Sequence, residues 1–207
     1  MRSTGIVFDP FVRKHDPGPS HPEQPARFNA VLDQLHESGT MDLLDHIAPR
    51  PASDDELALV HDRTYIELVA REVRLGRTQL STGDTDISEA SLECARLAAG
   101  SVISAVDALL NSESRNAFCL VRPPGHHAGS DRGMGFCLFN NIAVGARYAQ
   151  RRYGAERVLI VDWDVHHGNG TQQIFYTDPS VYFFSTHQSP WYPGTGAAGE
   201  RGEGKAE

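Results

Sequence analysis

The chain has 207 residues, enough for one domain with a sizeable core, and its 40% hydrophobic and 22% charged content is that of an ordinary soluble protein. A formal net charge of −8 argues against a nucleic-acid surface and favours cationic partners by long-range attraction. No run approaches the roughly 18 apolar residues of a membrane span, and Met1-Arg2-Ser3 shows no signal-peptide pattern, so a cytoplasmic protein without membrane or nucleic-acid partners is expected.

Taken in chain order, Gly5–Phe8 reads as a first strand, and Pro25 opens a helix whose Phe28, Val31, Leu32 and Leu35 form one apolar face. Residues 54–74 read as two short helices. Ser88 is placed to cap a longer helix running through Leu110, with Leu92, Ala95, Ala99, Val102, Val106 and Leu109 inward. Strands follow at 117–121, 157–163 and 180–186, interleaved with a helix at 139–152 and a short one at Thr171–Tyr176. Strands alternating with helices imply an α/β domain with parallel pairing through right-handed crossovers, spanning 1–207 as one unit. The segment 194–207 holds five glycines and little apolar content, and is expected to be a mobile tail. Cys94, Cys119 and Cys137 are isolated within apolar patterns, which points to buried thiols rather than disulfides.

Two strand ends carry the chemistry. Asp162-Trp163-Asp164-Val165-His166 follows the apolar run Val158–Val161, and a strand's period of two points Asp162, Asp164 and His166 to one side. Carboxylate oxygens and an imidazole nitrogen together suit Zn²⁺ and related divalent ions, and Gly168 and Gly170 let the backbone turn sharply behind them. The second end is Arg122-Pro123-Pro124-Gly125-His126-His127-Ala128, where a Pro-Pro-Gly segment stops the strand and presents two adjacent histidines from a constrained loop. Histidine titrates nearest neutral pH, so one of the pair is a candidate general base. A His-His pair alone is more often unremarkable surface chemistry, and a lone acidic strand end is more often solvated. Two histidine-bearing strand ends in one chain, one with interleaved carboxylates, point instead to a metal-dependent hydrolytic site at the C-terminal ends of a parallel sheet.

These segments, with Gly133–Asn141, Tyr192-Pro193-Gly194-Thr195-Gly196 and the early His21-Pro22-Glu23-Gln24-Pro25-Ala26-Arg27, resemble in order and spacing the zinc-dependent histone deacetylases and their bacterial relatives. The likeness is to the class II-like branch, which includes deacetylase-like amidohydrolases, acetylpolyamine amidohydrolases and acetoin-utilisation proteins. It implies a three-layer arginase/deacetylase-type fold with a mainly parallel sheet, eight-stranded in the intact parent. Asp164 and His166 then match zinc ligands, Asp162 the acid that holds the His126 ring, and Asn169 the group that orients His127 for proton transfer. Many relatives have Asp at the position of Asn169; a neutral amide cannot raise the basicity of His127 by charge. Gly135, Phe136 and Tyr192 match the walls of a narrow acyl-lysine tunnel, and Asp84 a rim acid that accepts hydrogen bonds from the substrate backbone, with Asp86 the alternative register. Asp162, Asp164, His166, Ser185 and Thr186 match one structural potassium site, and Phe175, Asp178 and Val181 a second. His167, His187, His61 and His21 read as packing or loop-anchoring residues, and His15, His36 and His46 as surface residues.

The family's third zinc ligand, a later Asp, and its transition-state tyrosine, in a later Gly-Gly-Tyr segment, have no counterpart in these 207 residues. The expectation is a C-terminally truncated domain holding the first half to three-fifths of the parent, inactive by itself and exposing a sheet edge that favours self-association. For the intact parent, the resemblance implies zinc-dependent hydrolysis of acetyl-lysine amides in peptides or proteins. The alternatives are an acetylpolyamine or other small-amide deacetylase, and a non-catalytic metal-binding fragment. A binuclear manganese hydrolase would call for more bridging carboxylates than the sequence holds.

Overall fold

A computed structural model describes residues 3–204, so the last three residues of the expected tail lie outside the described part. Strand β1 (Thr4–Phe8) carries Ile6 and Val7 on opposite faces, both fully buried, as a central parallel strand requires. It pairs in parallel with β2 (Leu44–His46) on one side and with β3 (Asn116–Leu120) on the other. The β2 segment is only three residues long and has one apolar residue, so it gives no strand signal in the sequence. Strand β4 (Val158–Asp162) pairs in parallel with β5 (Val181–Ser185), placing Asp162 opposite Ser185. Among the described residues the five strands form two separate sheets, β2-β1-β3 and β4-β5.

Helices α1 (Pro25–Glu37), α2 (Asp54–Leu57), α3 (Arg63–Arg74), α4 (Ser91–Leu110), α5 (Asn141–Tyr153) and α6 (Asn169–Phe175) fill the intervals. Helix α4 begins three residues after the cap expected from the sequence. Its preceding residue is Ala90, while the Ser88 backbone N–H donates to Ser91 Oγ at 2.7 Å. Its inward face also differs from the expected stripe. Ala95 and Ala99 are buried, but so are Cys94, Leu97, Ala98, Ile103, Ala105 and Ala108, while Leu92, Val102, Val106 and Leu109 are half-buried. The reason is position: α4 lies against β1, β3, α3 and α5 at once, so small residues are needed on several sides and no single stripe suffices. Helix α5 starts two residues later than expected because Asn140 caps it, accepting the Ala143 N–H at 3.1 Å.

Three apolar clusters hold these elements. Leu57, Tyr65, Val69, Ile103 and Phe139 centre the largest; Val12, Phe28, Leu97 and Leu120 join α1 to the first sheet; Ala143, Ile160, Phe175 and Val181 seat the second sheet on α5 and α6. Each fully buried side chain of this size contributes about 1.5–3 kcal/mol of burial. The opposite face of the second sheet is bare: Leu159 and Val161 on β4 stand beside Tyr182 and Phe184 on β5, all exposed. Among the described residues no helix is long and apolar enough to cross a membrane. Cys94 and Cys137 are buried free thiols and Cys119 is part-buried. His15, read from the sequence as a surface residue, is buried instead, for a reason that belongs to the site.

Candidate functional site

The His-His loop is held from behind by a buried ion pair. Where β3 ends, the Arg122 guanidinium donates through Nε to Glu23 Oε1 at 2.6 Å and through Nη2 to Glu23 Oε2 at 2.7 Å. Its remaining donors reach the backbone carbonyls of Val12 and His15 at 2.9 and 3.0 Å. This bidentate fork uses the planar geometry that Arg offers and Lys does not. Burial alone would raise the Glu23 carboxyl, but hydrogen bonds from His15 and Arg122 and the Arg122 charge outweigh it and hold the pKa at about 2. His15 Nε2 lies 3.4 Å from Glu23, and its Nδ1 lies 2.7 Å from Ser91 Oγ, so this histidine is part of the charge network and not of the surface.

From that anchor the loop presents His126 and His127 with ring centroids 4.0 Å apart. The His126 Nδ1–H donates to Asp162 Oδ2 at 2.8 Å, and the His127 Nδ1–H donates to Asn169 Oδ1 at 2.7 Å. Since both partners accept at Nδ1, both rings keep Nε2 free as the acceptor in the neutral form. Burial, then the neighbouring His126 and His166, push the His127 pKa down to about 4 against a smaller upward pull from Asn169, so at neutral pH the ring is an unprotonated base. The loop is tied from its far side as well. Asn140 Nδ2 donates to the Ala128 carbonyl at 3.0 Å and to Thr171 Oγ1 at 3.1 Å, and the Thr171 N–H donates to the His126 carbonyl at 3.1 Å. His61 Nε2, buried between Tyr65 and Phe139, accepts the Asn140 N–H at 2.9 Å. Gly168 is required at its position: a Cβ there would stand 2.3 Å from Asp162 Oδ2 and 3.2 Å from His126 Nδ1.

Asp164 and His166 emerge from the turn after β4. Asp164 Oδ1 accepts the His166 backbone N–H at 2.8 Å and faces His166 Nδ1 at 2.9 Å. Burial raises the Asp164 carboxyl, but these hydrogen bonds and the nearby histidines outweigh it, so the group stays below its ordinary pKa and ionised. The His166 ring stands 5.9 Å from that of His127. A carboxylate and an imidazole in one turn are the donor kinds that zinc takes, and a catalytic zinc takes three protein donors with one position open. Among the described residues no group of three or more His, Cys, Asp or Glu side chains is gathered at ligating distance. The pair therefore fits such an ion in kind and would supply two of its donors.

Two loops close against these histidines. Gly135 (φ 55°) and Phe136 (φ 70°) both take left-handed backbone, and a Cβ on Gly135 would stand 2.3 Å from the His127 ring, so only glycine lets this wall reach the histidine. The opposite wall is Tyr192, whose ring meets those of His127 and His166 edge-on at 5.1 and 6.0 Å. Asp84 joins the two, taking the Gly135 N–H at 2.8 Å and the Tyr192 hydroxyl at 2.9 Å. Asp86, the alternative register, lies 3.6 Å from His21 Nε2, and the His21 ring packs edge-on against Phe136 at 4.4 Å.

The residues matched to potassium sites are placed as follows. Ser185 Oγ pairs with His187 Nδ1 at 2.9 Å, the Thr186 N–H donates to the Asp162 carbonyl at 3.0 Å, and Asp162 Oδ1 accepts the Asp164 N–H at 3.1 Å. Asp178 binds Ser180 and the Arg147 guanidinium, Arg147 covers the Phe175 ring at 4.7 Å, and Val181 is a core residue. His167 is buried with Nδ1 2.8 Å from Thr195 Oγ1, and His187 Nε2 lies 3.0 Å from the Gly196 carbonyl, so both anchor the loop after Tyr192. Along the tail, the Glu203 N–H donates to the Tyr176 carbonyl at 2.7 Å, and Glu200 accepts from Gln172 at 2.5 Å. Sequence reasoning gave no role to Glu23, Arg122, Asn140 or the Tyr192 hydroxyl. Glu23 and Arg122 are 99 residues apart and Tyr192 and Asp84 are 108 apart, and no local pattern links partners at that distance.

Residues 21–207 match the model of the histone deacetylase domain. A protein of Archaeoglobus fulgidus named as a probable deacetylase is 44% identical over 206 residues, covering 99% of this chain and 56% of that protein. The human polyamine deacetylase HDAC10 is 43% identical over 171 residues, covering 80% of this chain and 26% of that protein. The crystal structure of the HDA15 HD domain superposes with a TM-score of 0.92 at 42% identity, covering 97% of this chain and 58% of that one. The chain thus spans little more than half the length of the archaeal protein and of the HDA15 domain.

Proposed function

Because this chain belongs to the histone deacetylase domain family and has its α/β arginase/deacetylase fold, we propose that it carries the proton-transfer part of an active site that hydrolyses the amide of an acetylated amine, acetyl-lysine in a peptide or protein being the first candidate. The observation that carries this reading is the pair of adjacent histidines on unlike partners, His126 on the carboxylate of Asp162 and His127 on the neutral amide of Asn169. His127, unprotonated and with Nε2 free, takes the proton of the attacking water and returns it to the leaving amine. Asn169 holds its tautomer without adding charge, and Asp162 fixes the neighbouring ring in place. Phe136 and Tyr192 shield the scissile bond from solvent and pack on the methylenes of an acyl-lysine chain. Asp164 and His166 would hold the zinc ion that the family implies, which when bound supplies a Lewis acid for the amide carbonyl and for the attacking water.

The reading is tested in the zinc-loaded protein at its natural length. His127→Ala is expected to keep full metal by elemental analysis and to lose turnover of an acetyl-lysine peptide by a factor of about 10² or more. Asp164→Ala and His166→Ala are expected to lose the metal itself. Zinc lost in the His127 variant, or retained in both of the others, would overturn this division of roles. A second substrate class, small acylated amines, is favoured by one observation: both oxygens of Asp84 are already engaged within the protein.

A further inference from the structure

Three loops distant in sequence meet at the mouth of the cleft. Asp84 takes the Gly135 N–H on Oδ1 and the Tyr192 hydroxyl on Oδ2, so one carboxylate braces both walls. The Tyr192 ring lies edge-on to His127 and His166, which places its apolar body against the two histidine rings while its hydroxyl reaches the exposed Asp84. Phenylalanine would provide the same wall without the brace. We propose that the Tyr192 hydroxyl is a specificity-determining group: by occupying Asp84 it disfavours substrates that bring backbone N–H groups to the rim and favours simple acylated amines. This rests on the deacetylase reading above.

The physical argument is a competition. A peptide N–H reaching Asp84 must share oxygens that already accept the Gly135 N–H and the Tyr192 hydroxyl, at a lone pair the phenol leaves, so it gains less than it would from an unengaged carboxylate. An acylated diamine brings no backbone amide to the rim and displaces nothing. Its distal ammonium still feels the negative charge of Asp84, which hydrogen bonding leaves in place. The opposite wall does not compete in this way, because Asp86 is turned to His21 behind Phe136.

The test compares two substrates on the zinc-loaded protein at its natural length: a peptide with an internal acetyl-lysine and a mono-N-acetylated linear diamine. In Tyr192→Phe the ratio of kcat/KM, peptide over diamine, is expected to rise about fivefold to tenfold, whatever loss the two substrates share, as suits one released hydrogen bond. In an Asp84→Ala background the same replacement is expected to leave the ratio unmoved, since the two groups act through one bond. A ratio unchanged by Tyr192→Phe, or shifted equally in both backgrounds, overturns the proposal. Should the wild type hydrolyse neither substrate, the deacetylase reading fails. The brace is then judged by hydrogen exchange on the 207-residue chain, where Tyr192→Phe is expected to speed exchange across residues 190–196 and 133–137. Unchanged exchange there overturns it independently of turnover.

Discussion

The two sheets solve opposite problems. Around β1 and β3, charge is buried and fully paired: Glu23, Arg122 and His15 are nearly inaccessible, and together they anchor the loop that bears His126 and His127. Around β4 and β5, apolar surface is left in solvent, with Leu159 62% and Tyr182 68% exposed, while Asp164 and His166 sit half-open at the strand end. The first region is therefore a rigid support whose precision comes from a network, and the second carries the two proposed zinc donors on a ribbon packed on one face only. The proton transfer proposed for His127 needs the rigid side, because a misplaced imidazole loses its substrate.

Breaking the buried network is expected to have the largest effect. Arg122→Met leaves the Glu23 carboxylate buried without its main partner and should cost about 3–5 kcal/mol in urea unfolding. A loss below about 1 kcal/mol would mean that water or another cation reaches Glu23, and the contrast between the two sheets would collapse. Next comes the seating of the ribbon: Ile160→Ala, on the covered face of β4, should cost about 2–5 kcal/mol, whereas Tyr182→Thr on the bare face should stay within about 0.5 kcal/mol. Equal costs would show the bare face to be covered in solution. Tyr182→Thr combined with Leu159→Thr should also reduce self-association in sedimentation, since this face is the largest apolar surface the ribbon offers.

Acid sharpens the comparison within the supporting region. Burial pushes the His61 pKa down to about 4, so the unfolded chain binds a proton that the folded chain refuses, and stability should fall as pH drops from about 6.5 to about 4. Glu23 acts lower: its contribution is complete above pH 4.5 and is lost as pH falls through about 2. Stability measured against pH should therefore decline in two stages, and His61→Gln should shrink the first, to which the buried His127 also contributes, while leaving the second. Gly168→Ala is expected to cost about 1–3 kcal/mol, because its added methyl must push Asp162 off the His126 ring. Chemical shifts of the His126 ring should report that displacement directly.

Much of the site was legible because its chemistry is local. The spacing Asp162, Asp164, His166 and the adjacency of His126 and His127 are properties of short stretches whose strand or turn character follows from neighbouring residues. The same local reading failed where packing overrode pattern. Helix α4 buries several sides, so no stripe marks its face, and β2 is held by pairing to β1 with hardly any apolar signal of its own. His15 looked like a surface residue because nothing nearby in sequence announces Glu23 or Ser91 as its partners.

The sequence by itself determined the order of the helices and of every strand but β2, the two histidine-bearing strand ends and the family to which they belong, because periodicity, turn residues and motif spacing are encoded between near neighbours. Only the tertiary structure decided which groups are charged and which are braced. The low basicity of His127 comes from burial beside two other histidines, the ionised state of Glu23 from His15 and a guanidinium 99 residues away, and the engagement of Asp84 from a hydroxyl 108 residues away. Those properties depend on desolvation and on distances through space, which the chain acquires only when it packs.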